Sequence, residues 1–375
     1  MRAEKLKEMC DALSTFHRLC DVTDQSFLIG DRLIGPGQPP FIIAEMSGNH
    51  NQSLDRAFEL VDAAAQAGAH AIKLQTLKPD SITLPIRGGA FDINDPNSLW
   101  SGETLHDLYS KAETPWEWHQ PIMDRARSHG MLCFSSPFDE AAVDFLESLD
   151  VPAFKIASFE NNHIPLIQKA ASTGKPLIIS TGLASLSDLD EAVQAARSAG
   201  CKHLILLKCT STYPASPLDT NIATIPHLKS TFNCTVGLSD HTIGVGVSVA
   251  AVALGASVIE KHFTLDRNDG GIDSSFSMEP SEFHSLVSET MSAWQSLGSI
   301  SYGPTSKEEK SMMFRRSIYV SQKVRKGEPF TNSNLRIIRP GLGAAPRYFE
   351  LILGKCSPRD YEPGTPLKLS DLIEH

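Results

Sequence analysis

Residues 176–209 read PLIISTGLASLSDLDEAVQAARSAGCKHLILLKC and contain two apolar runs separated by a helical pattern. The first run, PLIIST, is followed by apolar residues spaced three and four apart, which is typical of an amphipathic helix. Gly200 ends that pattern, and the second run, HLILLKC, begins three residues later. A strand, a crossover helix and a second strand predict one βα unit of a parallel sheet.

The same order recurs along most of the chain. Gly68, Gly130, Gly174 and Gly255 also end helical patterns shortly before a strand, as expected of the left-handed residue that stops a helix. Eight strands, apolar enough to need cover on both faces, favour an α/β fold of the (β/α)8 TIM-barrel type. A doubly wound open sheet is the alternative, but the chain has neither a GxGxxG turn nor a Walker loop. The predicted strands are 41–46, 71–76, 131–136, 153–158, 176–181, 203–209, 235–240 and 257–263.

The composition changes after the last helical pattern. GSISYGPTSKEEKSMM is polar, charged and glycine-bearing, which indicates a linker. Beyond it, short strand patterns, turn residues and two similar units, VRKGEPFTNSNL and YEPGTPLKLSDL, predict a small β-rich module. We therefore predict an N-terminal extension at 1–36, a barrel at 37–298, a linker at 299–314 and the module at 315–375.

One insertion interrupts the regular spacing of the strands. Residues 77–113 follow the second predicted strand, and an insertion at that position lies on the catalytic face of a barrel. We expect it to help form the substrate pocket. A surface excursion without a role is equally compatible with its composition.

Charge and cysteine content exclude several classes of protein. The 34 Lys and Arg against 44 Asp and Glu give a net charge of −10, so nucleic acid and anionic membranes are poor partners. An anionic small molecule remains possible, because a pocket can be cationic inside an acidic protein. The seven cysteines have no CxxC spacing and predict reduced thiols. With no apolar run of about 18 residues and no signal peptide, we expect a cytoplasmic protein.

Polar side chains are frequent at the predicted strand ends, which meet at one mouth in a barrel. Lys73, Lys155 and Lys208, with nearby hydroxyls, predict a phosphate site, although each lysine alone could be a solvated strand end. The residues expected at the mouth are Glu45, Lys73, Gln75, Ser135, Ser136, Lys155, Ser158, Glu160, Ser180, Thr181, Lys208, Thr210, Ser211, Asp240, His241, Glu260 and His262.

Two histidines end consecutive strands. Because neighbouring strands lie about 5 Å apart, His241 and His262 can reach one divalent ion. Glu45 or an aspartate of 266–273 could add an oxygen ligand. The alternative is that each histidine is a hydrogen-bonded pocket residue, and His50 is expected to be a substrate or capping contact.

These segments, taken together, resemble the sialic acid synthase family, most closely its pseudaminic acid branch. The resemblance runs from about residue 40 to the end of the chain. The matching segments are FIIAEMSGNHN, AIKLQT, TPWEWH, CFSSPFD, FKIASFE, STG, LKCTSTYP, VGLSDHT, VIEKHFTLD and the late RPG.

The resemblance implies a barrel followed by an antifreeze-like (SAF) domain, in a homodimer that exchanges those domains. It implies condensation of phosphoenolpyruvate with an open-chain acetamido sugar, dependent on a divalent metal such as Mn2+ or Mg2+. The implied metal ligands are His241 and His262, and Glu160 is implied beside the reacting carbons. The implied phosphoenolpyruvate contacts are Lys155, Ser158, Ser180 and Ser239, with Lys73, Ser136 and Phe138 nearby. The implied sugar-side residues are Glu45, Tyr213, Asp273 and, in the C-terminal module, Arg339. Ser211 is expected to bind substrate as well.

Two segments distinguish branches of the family. CTSTYP and IASFE stand where the sialic acid branch tends to have CTNxYP and a GSGE-like segment. Both resemble the branch whose substrate is a 2,4-diacetamido-2,4,6-trideoxy sugar of the L-altro configuration. Synthesis of N-acetylneuraminate or legionaminate is the alternative. Two more distant ones are a Schiff-base aldolase using Lys155 or Lys73, and a carbohydrate-binding scaffold.

Overall fold

A computed structural model describes residues 26–96 and 98–372 of the chain. Eight parallel strands close into a barrel in the order β10-β3-β4-β5-β6-β7-β8-β9, which confirms the predicted fold class. Two further strands precede the barrel as a hairpin. The strands are β1 Phe27–Ile29, β2 Arg32–Ile34, β3 Phe41–Glu45, β4 Ala71–Thr76, β5 Leu132–Pro137, β6 Phe154–Ile156, β7 Leu177–Ser180, β8 Leu204–Cys209, β9 Thr235–Ser239 and β10 Val258–His262.

Helices connect the barrel strands and cover the outside of the barrel. Those after β3, β7 and β10 begin at capping residues, and the helix after β7 has a full capping box formed by Ser185 and Asp188. The helices are α1 Leu54–Gln66, α2 Pro79–Ile82, α3 Leu105–Ala112, α4 Trp116–Ser128, α5 Glu140–Ser148, α6 Ile164–Ser172, α7 Leu186–Ser198, α8 Thr224–Phe232, α9 Gly246–Ala253 and α10 Pro280–Leu297. Among the described residues, no helix is both long and apolar enough to cross a membrane.

Glycines allow the chain to turn between helix and strand. Gly68 and Gly200 have φ values of 92° and 105°, in the left-handed region that side chains disfavour. Gly237 has a different role, because a Cβ there would lie 2.3 Å from the Val258 carbonyl oxygen of the neighbouring strand. Only glycine therefore fits at this point of β9.

The register of the strands brings the polar ends to one level. Glu45 of β3 pairs with Lys73 of β4 on one side and with His262 of β10 on the other. Glu260 of β10 is opposite Ser239 of β9. These five residues therefore lie side by side around one end of the barrel.

The hairpin of β1 and β2 packs at the opposite end of the barrel. The Phe27 ring stacks on His203, just before β8, at a centroid distance of 4.6 Å. Gly30 lies against Leu132 at the start of β5, and Ile29 and Ile34 are fully buried. Part of the predicted N-terminal extension therefore closes the bottom of the barrel, while its first 25 residues lie outside the described part of the chain.

Residues 299–372 form a second compact unit. Two short antiparallel strands, β11 Ser317–Val320 and β12 Leu335–Ile338, are followed by helix α11 Phe349–Ile352. A small separate core includes Val324, Phe330 and Tyr361.

Candidate active site

A cavity of about 390 Å³ opens at the C-terminal ends of the barrel strands. Most of the residues predicted for the site line it, and they come from every strand of the barrel or the loop that follows it. The predicted residues in its lining are Glu45, Lys73, Phe138, Lys155, Ser158, Glu160, Ser180, Tyr213, Ser239, His241, His262 and Asp273.

Several residues expected at the mouth do not line the cavity, among them Ser135, Thr181, Lys208, Thr210 and Asp240. Lys208 lines a different cavity, between α7 and α8, and donates a hydrogen bond to the Cys209 carbonyl at 2.8 Å. Asp240 is buried against Lys261 and Ser248, at 3.0 and 2.7 Å. The placement of Lys208 and Asp240 in the mouth was wrong because neighbouring residues of a strand face opposite sides of the sheet. Asp240 and Lys261 form an ion pair outside the cavity.

Two buried lysines share one carboxylate on the floor of the cavity. Lys73 Nζ lies 3.6 Å from Glu260 Oε1, and Lys155 Nζ lies 3.8 Å from the same atom. Lys155 also donates to Ser180 Oγ at 2.7 Å. Burial opposes the charge on Glu260, but both lysines attract it, and the net effect lowers the pKa of this carboxyl. The floor therefore presents fixed ammonium and hydroxyl donors to an anion.

Glu45 lies beside the first lysine. Its Oε2 is 2.6 Å from Lys73 Nζ, and its Oε1 accepts a hydrogen bond from Gln75 at 3.1 Å. Burial raises the pKa of Glu45 to about 7, although Lys73 acts against the shift. This pair of residues can hold or release a proton near neutral pH.

Glu160 follows β6 and lines the cavity without a partner for one oxygen. Its Oε2 atom is buried and makes no hydrogen bond within the described residues. Burial raises the pKa of Glu160 to about 7, while the attraction of Lys155 opposes the increase. A carboxyl near half ionisation at neutral pH suits proton transfer.

The two predicted metal ligands face each other. The His241 and His262 ring centroids are 5.2 Å apart. His241 Nδ1 donates to the Thr210 carbonyl at 2.9 Å, which leaves its Nε2 as the nitrogen that can bind a metal. His262 Nδ1 is buried without a hydrogen bond, and burial holds the pKa of this ring well below its ordinary value. Burial also acts to lower the pKa of His241, but the contact with Cys209 outweighs it and raises that pKa. The geometry nevertheless lets each ring offer one nitrogen to a divalent ion.

Among the residues that the structure describes, no third protein ligand completes this pair. Within the described part of the chain, no three His, Cys, Asp or Glu side chains are arranged to hold a metal ion. Asp273 Oδ2 lies 3.7 Å from His262 Nδ1, but the Ser47 hydroxyl donates to that oxygen. Burial raises the pKa of Asp273 to about 6. An ion here would need water or substrate oxygens as its other ligands.

Tyr213 covers the two histidines. Its ring centroid lies 4.5 Å from that of His241 and 6.2 Å from that of His262. Burial raises the pKa of the phenol, so the hydroxyl remains a neutral donor. Trp100, from the insertion after β4, packs on the same tyrosine at 6.1 Å.

Three of the substrate contacts expected from the sequence are also outside the lining. Ser136 is buried and accepts a hydrogen bond from Lys73 at 3.2 Å. Ser211 contacts Cys209 at 3.8 Å between oxygen and sulfur. Arg339 belongs to the second unit, where it is exposed, and its role stays a prediction.

Glu260 and Cys209 are two titratable residues of the lining to which the sequence assigned no role. Glu260 was expected at the mouth, where the period of two along a strand places it on the same side as His262, and it lines the cavity. Cys209 also faces the cavity. Burial alone would raise the pKa of its thiol, but contacts with His241, Ser158 and Lys155 bring it down to about 7. No pattern in the sequence distinguishes this cysteine from the others.

These features define a TIM-barrel enzyme with an active site built for an anionic substrate and proton transfer. Residues 60–302 match the NeuB family, and residues 315–373 match the SAF domain. The chain therefore belongs to the NeuB family and is an enzyme of the sialic acid synthase family, which the resemblance in its strand-end segments predicted.

Curated relatives match the chain over most of its length. It is 43% identical to a pseudaminic acid synthase of Campylobacter jejuni over 331 residues, covering 88% of this chain and 96% of the relative. It is 41% identical to a pseudaminic acid synthase of Helicobacter pylori, covering 89% and 98%. Among solved structures, an N-acetylneuraminic acid synthetase from Leptospira borgpetersenii in complex with citrate matches with a TM-score of 0.68 and 33% identity, covering 77% of this chain and 95% of that one.

Proposed function

We propose that this enzyme condenses phosphoenolpyruvate with 2,4-diacetamido-2,4,6-trideoxy-L-altropyranose and water, giving pseudaminic acid and phosphate. The observation that carries the proposal is the convergence of two buried lysines and several serine hydroxyls on a cavity that also contains carboxyls of raised pKa. The identities of 41 to 43% to pseudaminic acid synthases support the choice of sugar.

The phosphate of phosphoenolpyruvate would lie on the floor of the cavity. Lys155 and Ser180 already form a donor pair, with 2.7 Å between nitrogen and oxygen. Ser239 donates to Glu260 at 3.1 Å and can turn to an incoming phosphate oxygen. Charged donors held in place by burial bind a phosphate without reorganising.

The bonds change in a balanced sequence. The enol carbon C3 of phosphoenolpyruvate attacks the aldehyde carbon of the open-chain sugar, whose oxygen takes a proton and becomes a hydroxyl. The enol electrons leave a positive centre at C2, to which the water oxygen adds with loss of a proton. The tetrahedral adduct then breaks its C2–O bond, so phosphate leaves with the electron pair, and loss of the second proton forms the ketone.

We propose Glu160 as the base that accepts a proton from the attacking water. Its uncommitted buried oxygen faces the cavity, and a pKa of about 7 means that much of it is ionised at neutral pH. As a carboxylate it would also stabilise the positive centre at C2. Glu45 has a pKa in the same range and lies against Lys73, so it can exchange a proton on the sugar side.

A divalent ion, Mn2+ or Mg2+, would be held by His241 and His262. When bound, it would supply Lewis-acid polarisation of the aldehyde oxygen. The chain's own contribution is orientation: the Thr210 carbonyl fixes the proton on His241 Nδ1, and Tyr213 packs against both rings.

The remaining predicted contacts complete the proposal. Ser158, Ser211, Phe138, Tyr213 and Asp273 are proposed to contact the substrates. We further propose a homodimer in which the SAF domain of one chain supplies Arg339 to the partner, and a cytoplasmic location, where phosphoenolpyruvate is made.

A Schiff-base aldolase is the competing chemistry. It needs an uncharged lysine, but Glu260 and Glu45 oppose the effect of burial and raise the pKa of Lys73. Burial lowers the pKa of Lys155, so this lysine is the nucleophile that such a mechanism would use. Borohydride treatment in the presence of substrate would trap that adduct.

The deciding experiment measures phosphate release from phosphoenolpyruvate with a panel of diacetamido and monoacetamido sugars, and identifies each product by mass spectrometry. We expect a large preference in kcat/KM for the diacetamido-trideoxy sugar over N-acetylmannosamine, loss of activity with a chelator, and no borohydride trapping. Equal or better turnover of N-acetylmannosamine would assign the chain to sialic acid synthesis.

A further inference from the structure

The cavity has two chemically different sides. The strand ends contribute lysines, carboxyls and hydroxyls, whereas the insertion at 77–113 contributes mainly apolar side chains. Ile93, Leu105 and Leu108 of the insertion are half-buried and line the cavity, and Ile272 from the loop after β10 joins them. We call these four residues the apolar wall.

Helical spacing places the two leucines of the wall on one face of α3. Leu105, Leu108 and Ala112 are at positions i, i+3 and i+7 of α3, so they share one face of this helix. Thr104 caps α3 by accepting a hydrogen bond from the Asp107 amide at 3.0 Å. The apolar face is therefore presented to the cavity by a capped helix.

Contacts with the barrel hold the wall in place. Gln52, in the loop after β3, donates to the Lys111 and Glu113 carbonyls at the end of α3, at 3.0 and 2.7 Å. The Trp100 indole donates to the Ile272 carbonyl at 3.1 Å, which joins the insertion to the loop after β10. A surface anchored at these points cannot withdraw from a bound ligand without breaking hydrogen bonds.

The four side chains of the wall carry no polar atom. The polar groups that the described residues of the insertion bring to the cavity are the Trp100 indole, which already donates to the Ile272 carbonyl, and the Tyr109 hydroxyl. A hydroxyl placed against the wall would lose water without gaining a partner, whereas a methyl group would gain burial. The aldehyde end of the open-chain sugar must meet phosphoenolpyruvate on the polar side, so C6 is the carbon that extends farthest from that side. Each acetamido group, in contrast, carries an N–H and a carbonyl that need partners.

We propose that the apolar wall binds the C6 methyl group of the sugar and makes the enzyme discriminate against sugars with a C6 hydroxyl. This inference rests on the proposed function, because it assumes that a six-carbon amino sugar is the second substrate. It assigns specificity to Leu105 and Leu108, which contribute nothing to phosphate binding.

The test compares two sugars that differ only at C6, the diacetamido-trideoxy sugar and its 6-hydroxy counterpart. For the unmodified enzyme we expect kcat/KM to favour the 6-deoxy sugar by about 10- to 100-fold, the range for one hydroxyl against an apolar pocket. In Leu108→Asn, and independently in Leu105→Asn, the preference should fall to within about threefold. The KM for phosphoenolpyruvate should stay unchanged, which also shows that each variant is folded.

Leu84→Asn is the matched control. Leu84 belongs to the same insertion and is 53% exposed, but does not line the cavity, so its substitution should leave the preference unchanged. Retention of the full preference by both wall variants, with unchanged KM for phosphoenolpyruvate, would overturn the proposal. If the enzyme instead uses N-acetylmannosamine, the proposed function fails, and the same comparison with 6-deoxy-N-acetylmannosamine still tests the wall.

Discussion

The Glu160 carboxyl is the group whose titration we expect to control the rate near neutral pH. Burial raises its pKa from an ordinary 4.5 to about 7. A group with that pKa is about one-tenth ionised at pH 6 and about nine-tenths ionised at pH 8, whereas an ordinary glutamate is ionised at both. If the carboxylate accepts the water's proton, its contribution to the rate rises almost tenfold over this interval.

Glu160→Gln isolates this contribution, because the amide keeps the shape of the side chain and cannot accept the proton. We expect kcat/KM to fall by about 10²- to 10⁴-fold, the usual range for loss of a general base. Phosphate release is measured at pH 6, 7 and 8 for both proteins. Titrations that the two proteins share, including that of the substrate phosphate, cancel in the ratio of their rates, which should rise about tenfold with pH.

A second variant separates Glu160 from its neighbour of similar pKa. Glu45→Gln removes the other carboxyl with a pKa of about 7. The rate of Glu45→Gln divided by that of the double variant Glu45→Gln, Glu160→Gln should still rise about tenfold between pH 6 and 8, because Glu160 is the group that the two proteins do not share. The reasoning is refuted if the ratio stays flat with pH, or if Glu160→Gln retains a third or more of the unmodified rate.

Three further outcomes are expected. His241→Ala should abolish condensation with native circular dichroism, and near-normal turnover of this variant in metal-free buffer would exclude the two-histidine site. Lys155→Met should lower kcat/KM for phosphoenolpyruvate about 10- to 100-fold through lost charged hydrogen bonds, whereas Lys208→Met, outside the cavity, should change it less than about twofold. The third experiment unfolds the inactive Glu160→Ala and Arg339→Ala chains together and refolds them as a mixture. If the two chains exchange domains, about half of the dimers are mixed and each has one intact site, so roughly a quarter of the activity should return. Mixed dimers without activity would rule out the exchange.

The barrel could be predicted from the sequence because its strands are short apolar runs that end near glycines. All eight predicted runs overlap the observed strands to within three residues at either end. The β1–β2 hairpin was not predicted, since three-residue strands are too short to show a periodicity. Phe27 is recognisable as a core residue only once the start of β8 is placed beside it.

The types of side chain at the site could be predicted from the sequence, but not the side of the sheet that each one faces. The sequence places Lys208 and Asp240 at strand ends as plausibly as Lys73 or His241, yet the first two face outward. Glu260 was recognised at the mouth, but only its distances to Lys73 and Lys155 show that one carboxylate serves both lysines.

The sequence by itself determined the eight-stranded barrel, the end where polar side chains gather and the family, because these depend on local periodicity and on the order of motifs. Only the tertiary structure decided which side chains share the cavity, since strand pairing sets the side that each faces. It also decided the raised pKa values of Glu45 and Glu160 and the apolar wall of α3. These properties arise from burial, and burial depends on residues that are far apart in the chain.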